Sequence, residues 1–128
     1  MSIFTEAELD YLASQHLMRF ATASPSGKPD VAPVGFAIDG DAIVSGGFDI
    51  TRTVRFKNVQ KNPRAAVVID DLASVDPWTP RGIKVMGAVT VEEADGSPRF
   101  RIRPEVIISW GVNDTSPGRP QMERRTVS

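Results

Sequence analysis

Between Ile50 and Ile69 the chain carries five cations, Arg52, Arg55, Lys57, Lys61 and Arg64, and no Asp or Glu, although its 128 residues together have a formal net charge of −1. Charge segregated in this way needs a local cause. The run is preceded by Ser45-Gly46-Gly47 and by Asp49-Ile50-Thr51. The glycines allow backbone angles closed to other residues, and Asp49 or Thr51 can cap a helix. A helix from there to about Lys61, stopped by Asn62-Pro63, presents first-turn N–H groups and a positive dipole end beside Arg52 and Arg55, one turn apart. That is a phosphate-sized anion cradle. The same run also fits a solvated helix whose cations serve solubility, and charge alone does not choose between the two.

Other chemistry is narrowed by what the composition lacks. With no cysteine there is no thiol nucleophile, disulfide or thiolate metal site, and a single histidine, His16, removes multi-histidine metal sites and argues against a hydrolytic triad. His16 falls at the end of the first helix and reads as a surface or capping residue. No metal site is expected, and chemistry must come with a cofactor or rest on Arg, Lys, Tyr, Ser, Thr and carboxylates. Tyr11, Ser45 and Thr53 are candidate proton donors, each equally readable as structural, so water is the expected proton source.

The elements that must position these residues follow from periodicity. Thr5-Glu6-Ala7-Glu8 has the form of a capping box and Leu9, Leu12 and Ala13 repeat at helical spacing, which predicts an amphipathic helix over residues 5–16. Strands are predicted over 17–23, 31–38 and 42–45, joined by turns at Pro25-Ser26-Gly27-Lys28 and Asp39-Gly40-Asp41. Pro33 cannot donate to a ladder and should lie at an edge or bulge. Residues 65–69 form an unbroken apolar strand ending in Asp70-Asp71; SVDPWTPRG, with two prolines, reads as a shaped loop. The alternation from Ile83 to Glu92 is the cleanest strand, with a bend expected at Gly87, followed by strands over 100–103 and 106–110. Six or seven short antiparallel strands with two helices make a mainly β, α+β domain, a small closed or nearly closed barrel over residues 1–112. Residues 113–128, rich in Pro, Gly, Ser and charge, are expected to be a flexible tail.

A 41% hydrophobic content with 24% charge suits one soluble domain. No apolar run approaches a bilayer span, and MSIFTEAELD lacks the order of a secretory leader, so no membrane partner and a cytoplasmic location are expected. Arg99, Arg101 and Arg103 form a row of the kind that binds single strands, but the net charge and the few aromatic residues argue against a nucleic-acid partner.

The order of ATASPSGKPDVAPVGF, SGG, the basic segment ending NVQKNPRAAVVIDD, PWTPRGIKVMG and IRPEVIISWG resembles the pyridoxamine-phosphate-oxidase-like split β-barrel flavoproteins. Within them it is similar to the actinobacterial branch that uses the deazaflavin F420, and to its reductases of tetracycline-type antibiotic biosynthesis. The resemblance covers about residues 3–112 and departs from the family pattern in the charge order of Phe56-Lys57-Asn58. It implies a six- to seven-stranded antiparallel split β-barrel, FMN-binding-like, that forms a homodimer with each cofactor in a groove between subunits. It places Arg55 and Lys57 on the cofactor's phosphate or acidic tail, helped by Arg52, Thr53, Asn58 and Ser45, and Pro33 and Val34 along the ring. Trp78, Pro80 and Arg81 would close the site and Trp110 reach it from either subunit.

The implied activity is hydride transfer from reduced F420 to an activated C=C or C=N bond of a small, cyclic organic substrate. FMN on the same barrel is the alternative cofactor, and a non-catalytic cofactor- or ligand-binding barrel the alternative class. In PWTPRG the prolines stiffen the segment, Trp78 offers a flat substrate wall and Arg81 a cation for a developing enolate. Trp78 as a plug of the barrel end or a dimer contact is the competing reading.

Overall fold

The structure, a computed structural model, describes residues 2–128. The capping box forms as spaced: the Thr5 hydroxyl accepts the Glu8 N–H at 3.1 Å and the Glu8 carboxylate accepts the Thr5 N–H at 2.9 Å, starting helix α1 (Glu6–Ala13). It ends three residues earlier than the periodicity suggested, at a cap on Ser14 whose hydroxyl donates to Tyr11 O. The strands are β1 (Leu17–Ala23), β2 (Pro29–Gly35), β3 (Ala37–Asp39), β4 (Ala42–Ser45), β5 (Arg64–Ser74), β6 (Thr79–Ala94), β7 (Ser97–Trp110) and β8 (Met122–Thr126). All pairs are antiparallel, in the order β2-β1-β5-β6-β7-β4-β3, with β8 added to β7. Only Phe36 separates β2 from β3, and the Ser45 Oγ donates to Gly35 O at 2.8 Å, so the two ends of the order meet and the sheet closes into a barrel. Pro33 lies on β2, at the end of that order, where its missing N–H costs nothing.

The barrel interior is filled from alternate strand positions, with Phe20 and Phe100 edge to face at 5.1 Å and Ile69, Ile83, Val85 and Ile102 fully buried. The strands are longer and more numerous than the pattern suggested, eight among the described residues. The proposed PWTPRG loop is mostly ladder: only residues 75–78 turn, and Pro80 pairs with Leu72 beside a register shift, where a missing donor is tolerated. The two C-terminal strands are one, because Gly87 absorbs the irregularity between them. A Cβ on Gly87 would stand 2.0 Å from Arg103 O, and opposite it the register shifts so that Glu105 drops out of the pairing. No described helix is long and apolar enough to cross a membrane.

Within residues 113–128, read as a flexible tail, β8 pairs with the second half of β7. Its sequence, MERRT, has no strand signature; what holds it is the carboxylate of Glu8, which is fully buried. Arg125 grips Glu8 with two nitrogens, one at 2.9 Å, and also donates to Ile3 O at 2.8 Å, while the Asn113 amide donates to Glu8 at 2.9 Å. Burial pushes the Glu8 carboxyl upward, but the hydrogen bonds from Arg125, Thr5 and Asn113 outweigh it and hold the group below its ordinary value of 4.5. Because the folded value is the lower, the stabilisation is complete above about pH 4.5 and is lost as pH falls through it. Glu8→Gln should therefore cost about 3 kcal/mol at pH 7, the low end for breaking a buried pair because Arg125 keeps some solvent. In urea denaturation the gap to wild type should narrow below pH 4; a gap independent of pH would show that the ion pair is not the clamp.

Candidate functional site

The basic segment is two helices, not one. Asp49 caps a short 3-10 turn (Ile50–Arg52), accepting the Thr51 N–H at 3.2 Å. Thr53 is then extended, with φ −96° and ψ 156°, and caps helix α2 (Val54–Lys61). Its hydroxyl donates to Ile50 O at 2.6 Å and accepts the Phe56 N–H at 3.2 Å, so one side chain ends the first helix and starts the second. Buried Ile50 pins the joint to the core. Arg52 and Arg55 consequently do not share a helical face, contrary to the continuous-helix expectation. The Val54 and Arg55 N–H groups, in the first turn of α2, have no intrahelical acceptor.

Arg55 turns toward the barrel. Its guanidinium carbon lies 5.9 Å from the centroid of the Phe100 ring, and its Nε is the one buried side-chain polar atom among the described residues without a hydrogen-bond partner. Asn58, one turn on, is buried and donates to Thr22 Oγ1 at 2.9 Å, anchoring α2 to β1. Lys57 lies on the other side of α2, exposed, in a groove of about 380 Å³ shared with Ser24, Pro25, Phe56 and Lys61. Arg55 and Lys57 therefore address different surfaces. Ser45, Thr53 and Asn58 lie close by but spend their polar groups on Gly35 O, Ile50 O and Thr22. Pro33 is exposed on the edge strand, whereas the Val34 side chain is in the core, which leaves its backbone to face a ligand.

Arg81 is engaged elsewhere. Its Nε and Nη2 donate to the two Asp71 oxygens at 2.7 and 2.9 Å, and its guanidinium lies 5.0 Å from the centre of the Tyr11 ring. The Tyr11 hydroxyl donates to Asp71 at 2.9 Å. The Arg81 hydrogen bonds hold Asp71 below the usual carboxylate range, while burial first and Asp71 second push Tyr11 well above its ordinary value. Tyr11 is thus a poor acid, and Arg81 an anchor between α1 and the β5–β6 hairpin, with its fork committed. Trp78 stands at the hairpin tip and is 62% exposed, which rules out a plug of the barrel end within one chain. Trp110 lies against Gly82, where a Cβ would come 2.5 Å from its indole Cζ2. Sequence reasoning missed Phe100 as the floor under Arg55, Thr22 behind Asn58 and Asp71 beneath Arg81; only the last left a signal, since Asp70-Asp71 and PRG face each other in one hairpin. In the arginine row, Arg99 and Arg101 pair with Glu92 at 2.8 and 2.7 Å and with Asp39, and Arg101 first and Arg99 second lower Glu92 to about 2.

The family model described as pyridoxamine 5'-phosphate oxidase matches residues 4–126. The 5a,11a-dehydrotetracycline/5a,11a-dehydrooxytetracycline reductase of Streptomyces rimosus is 36% identical over 126 residues, covering 90% of this chain and 89% of its own. A solved F420 reductase superposes with a TM-score of 0.58 at 20% identity, over 73% of this chain and 89% of that one. An FMN-binding, pyridoxamine 5'-phosphate oxidase-related protein of Nostoc punctiforme does so with 0.65 at 10% identity, over 96% of each. At such identities the superpositions speak for the fold, the split β-barrel.

The geometry separates the two arginines. Arg55→Met removes an unpaired buried nitrogen and should leave the melting temperature unchanged or raised. Arg81→Met strips Asp71 of its partner and should cost about 1–2 kcal/mol, discounted for partial exposure. Thermal melts of the unliganded proteins check this, and a larger loss for Arg55→Met would make Arg55 a structural residue.

Proposed function

The chain belongs to the pyridoxamine 5'-phosphate oxidase family, and from that premise we propose that it is an oxidoreductase using F420, a reductase of activated C=C or C=N bonds in small cyclic substrates. The family binds flavins, and kinship with a reductase supports the oxidoreductase class. The observation that carries the cofactor reading is Arg55. A guanidinium set over Phe100 with a buried Nε and no carboxylate is incomplete as a structural feature and complete as one half of an anion site. The first-turn N–H groups of Val54 and Arg55 supply the other half, and a phosphate fits both. Lys57 and Lys61, in the groove on the far side of α2, extend the positive surface. A phosphate followed by an acidic tail uses that extension and FMN does not, so F420 is favoured over FMN, the alternative that the Nostoc structure keeps in play.

When bound, the reduced deazaflavin supplies the hydride. The chain's own residues bind, orient and exclude water: Arg55 and the α2 N-terminus fix the phosphate, Pro33 and the Val34 backbone border the ring, and Trp78 with Pro80 forms a wall for the substrate. No side chain on this surface is a ready acid, which favours water as proton source. The site is proposed to be completed in a homodimer. The outer face of β1, β5 and β6 carries Ala21, Ala66 and Met86 along a shallow groove, a small-residue surface suited to a second copy.

Fluorescence titration with F420 and with FMN tests this directly: F420 should bind the more tightly, and equal or reversed affinities would assign the site to FMN. Arg55→Ala should weaken F420 binding by about 1.5–3 kcal/mol, the range for a hydrogen bond to a charged group, with the fold intact. Trp78→Ala should lose turnover of a ring substrate while cofactor affinity and melting temperature hold. Loss of all three together would make Trp78 structural.

A further inference from the structure

Two cross-strand rows run side by side on the outer face of the barrel. Pairing aligns Asp70, Gly82, Trp110 and Met122 in one row, and Arg19, Val68, Lys84 and Ile108 in the next, with Arg124 at its end. Ile83 and Val85 are fully buried, so Lys84 between them faces out. The first row is apolar toward its β8 end: the Trp110 indole rests on the backbone of Gly82, and Met122 beside it is 69% exposed. The second row is cationic. Arg19 is paired with Asp70 at 3.6 Å, but Lys84 and Arg124 take part in no ion pair among the described residues. Lys84 is half-buried between the aliphatic side chains of Val68 and Ile108, where an ammonium is partly desolvated and finds no carboxylate.

An aromatic and thioether shelf edged by a cation without a counter-charge is complementary to a flat, anionic ring system. We propose that this shelf seats the reducible substrate, and that the substrate is a polycycle bearing an acidic enol or phenol, its rings on Trp110 and Met122 and its oxyanion on Lys84. The inference rests on the reductase reading and moves the substrate's oxygen from Arg81, whose fork is taken by Asp71, to Lys84. Lys84 also stands where negative charge gathers on a carbonyl oxygen when a conjugated C=C bond is reduced. The C-terminal strand thereby becomes part of the site, since Met122 belongs to β8.

The test uses the full chain without added cofactor and tetracycline as the probe, read by quenching of the protein's two tryptophans, Trp78 and Trp110. Wild type should show saturable quenching. Lys84→Met should raise the Kd about tenfold and Lys84→Arg should recover most of that loss, with melting temperature and light-scattering mass unchanged. Equal Kd values for wild type and Lys84→Met would overturn the shelf and leave the reductase reading standing. A changed mass in Lys84→Met would make the row a subunit contact and overturn the shelf as well. Absence of saturable quenching in wild type would overturn both the shelf and the ring-substrate reading, whereas the cofactor titration would still report on F420.

Discussion

The close approach of Gly87 to the carbonyl of Arg103 is the constraint on which the rest of the barrel depends. β6 and β7 are long strands that serve two sheets at once. On one side of this point β7 pairs with β4, and on the other with β8, while β5 covers only the first part of β6. A pair of strands can change partners only if it coils sharply, and coiling needs a residue without a side chain where the backbones meet, together with an extra residue opposite. Gly87 and Glu105 are those residues. The bulge is used twice, because its carbonyl at Glu105 accepts the N–H of Val127 at 2.9 Å and so guides the chain end past β8.

Charge is distributed by the same economy. Asp71, Glu92 and Glu8 each hold arginine, and each sits where two or more elements meet: α1 with the β5–β6 hairpin, β6 with β7 and β3, α1 with β8. These pairs join elements and are finished. In a chain that is net negative, the cations left without partners are therefore informative, since carboxylates were available and were placed elsewhere. Arg55 over Phe100 and Lys84 between Val68 and Ile108 are both held against apolar surface, where an ammonium or guanidinium without a counter-charge is expensive. They lie on different faces of the molecule's one barrel wall, a division suited to a protein that must hold two molecules against each other.

What the sequence discloses is what is local. The Thr5–Glu8 box, the turns at Gly27 and Gly40, the edge position of Pro33 and the irregularity at Gly87 depend on neighbours or on one residue's backbone, and each is visible as a spacing. The fold class follows, as does the location of the basic segment. The failures share a cause in distance. Thr53 splits the basic helix because Ile50 is pulled into the core, which no helical period records. Pro80 enters a ladder because the hairpin has already slipped at Leu72, and Arg81 is lost to the substrate because Asp71 and Tyr11 reach it first. β8 has no apolar alternation at all and exists through a partner at the opposite end of the chain.

That last pairing sets an order of events. Glu8 and Arg125 are separated by 117 positions, the longest-range side-chain contact of the first helix, so the loop it closes spans nearly the whole protein. Until the final strand arrives, the Glu8 carboxylate must stay in water or take up a proton, and α1 cannot settle over the barrel with its charge satisfied. The first helix to be synthesised is thus among the last elements to dock, together with the last strand. A nascent chain still tethered at its C-terminus carries an open barrel end, and maturation of the fold waits on release.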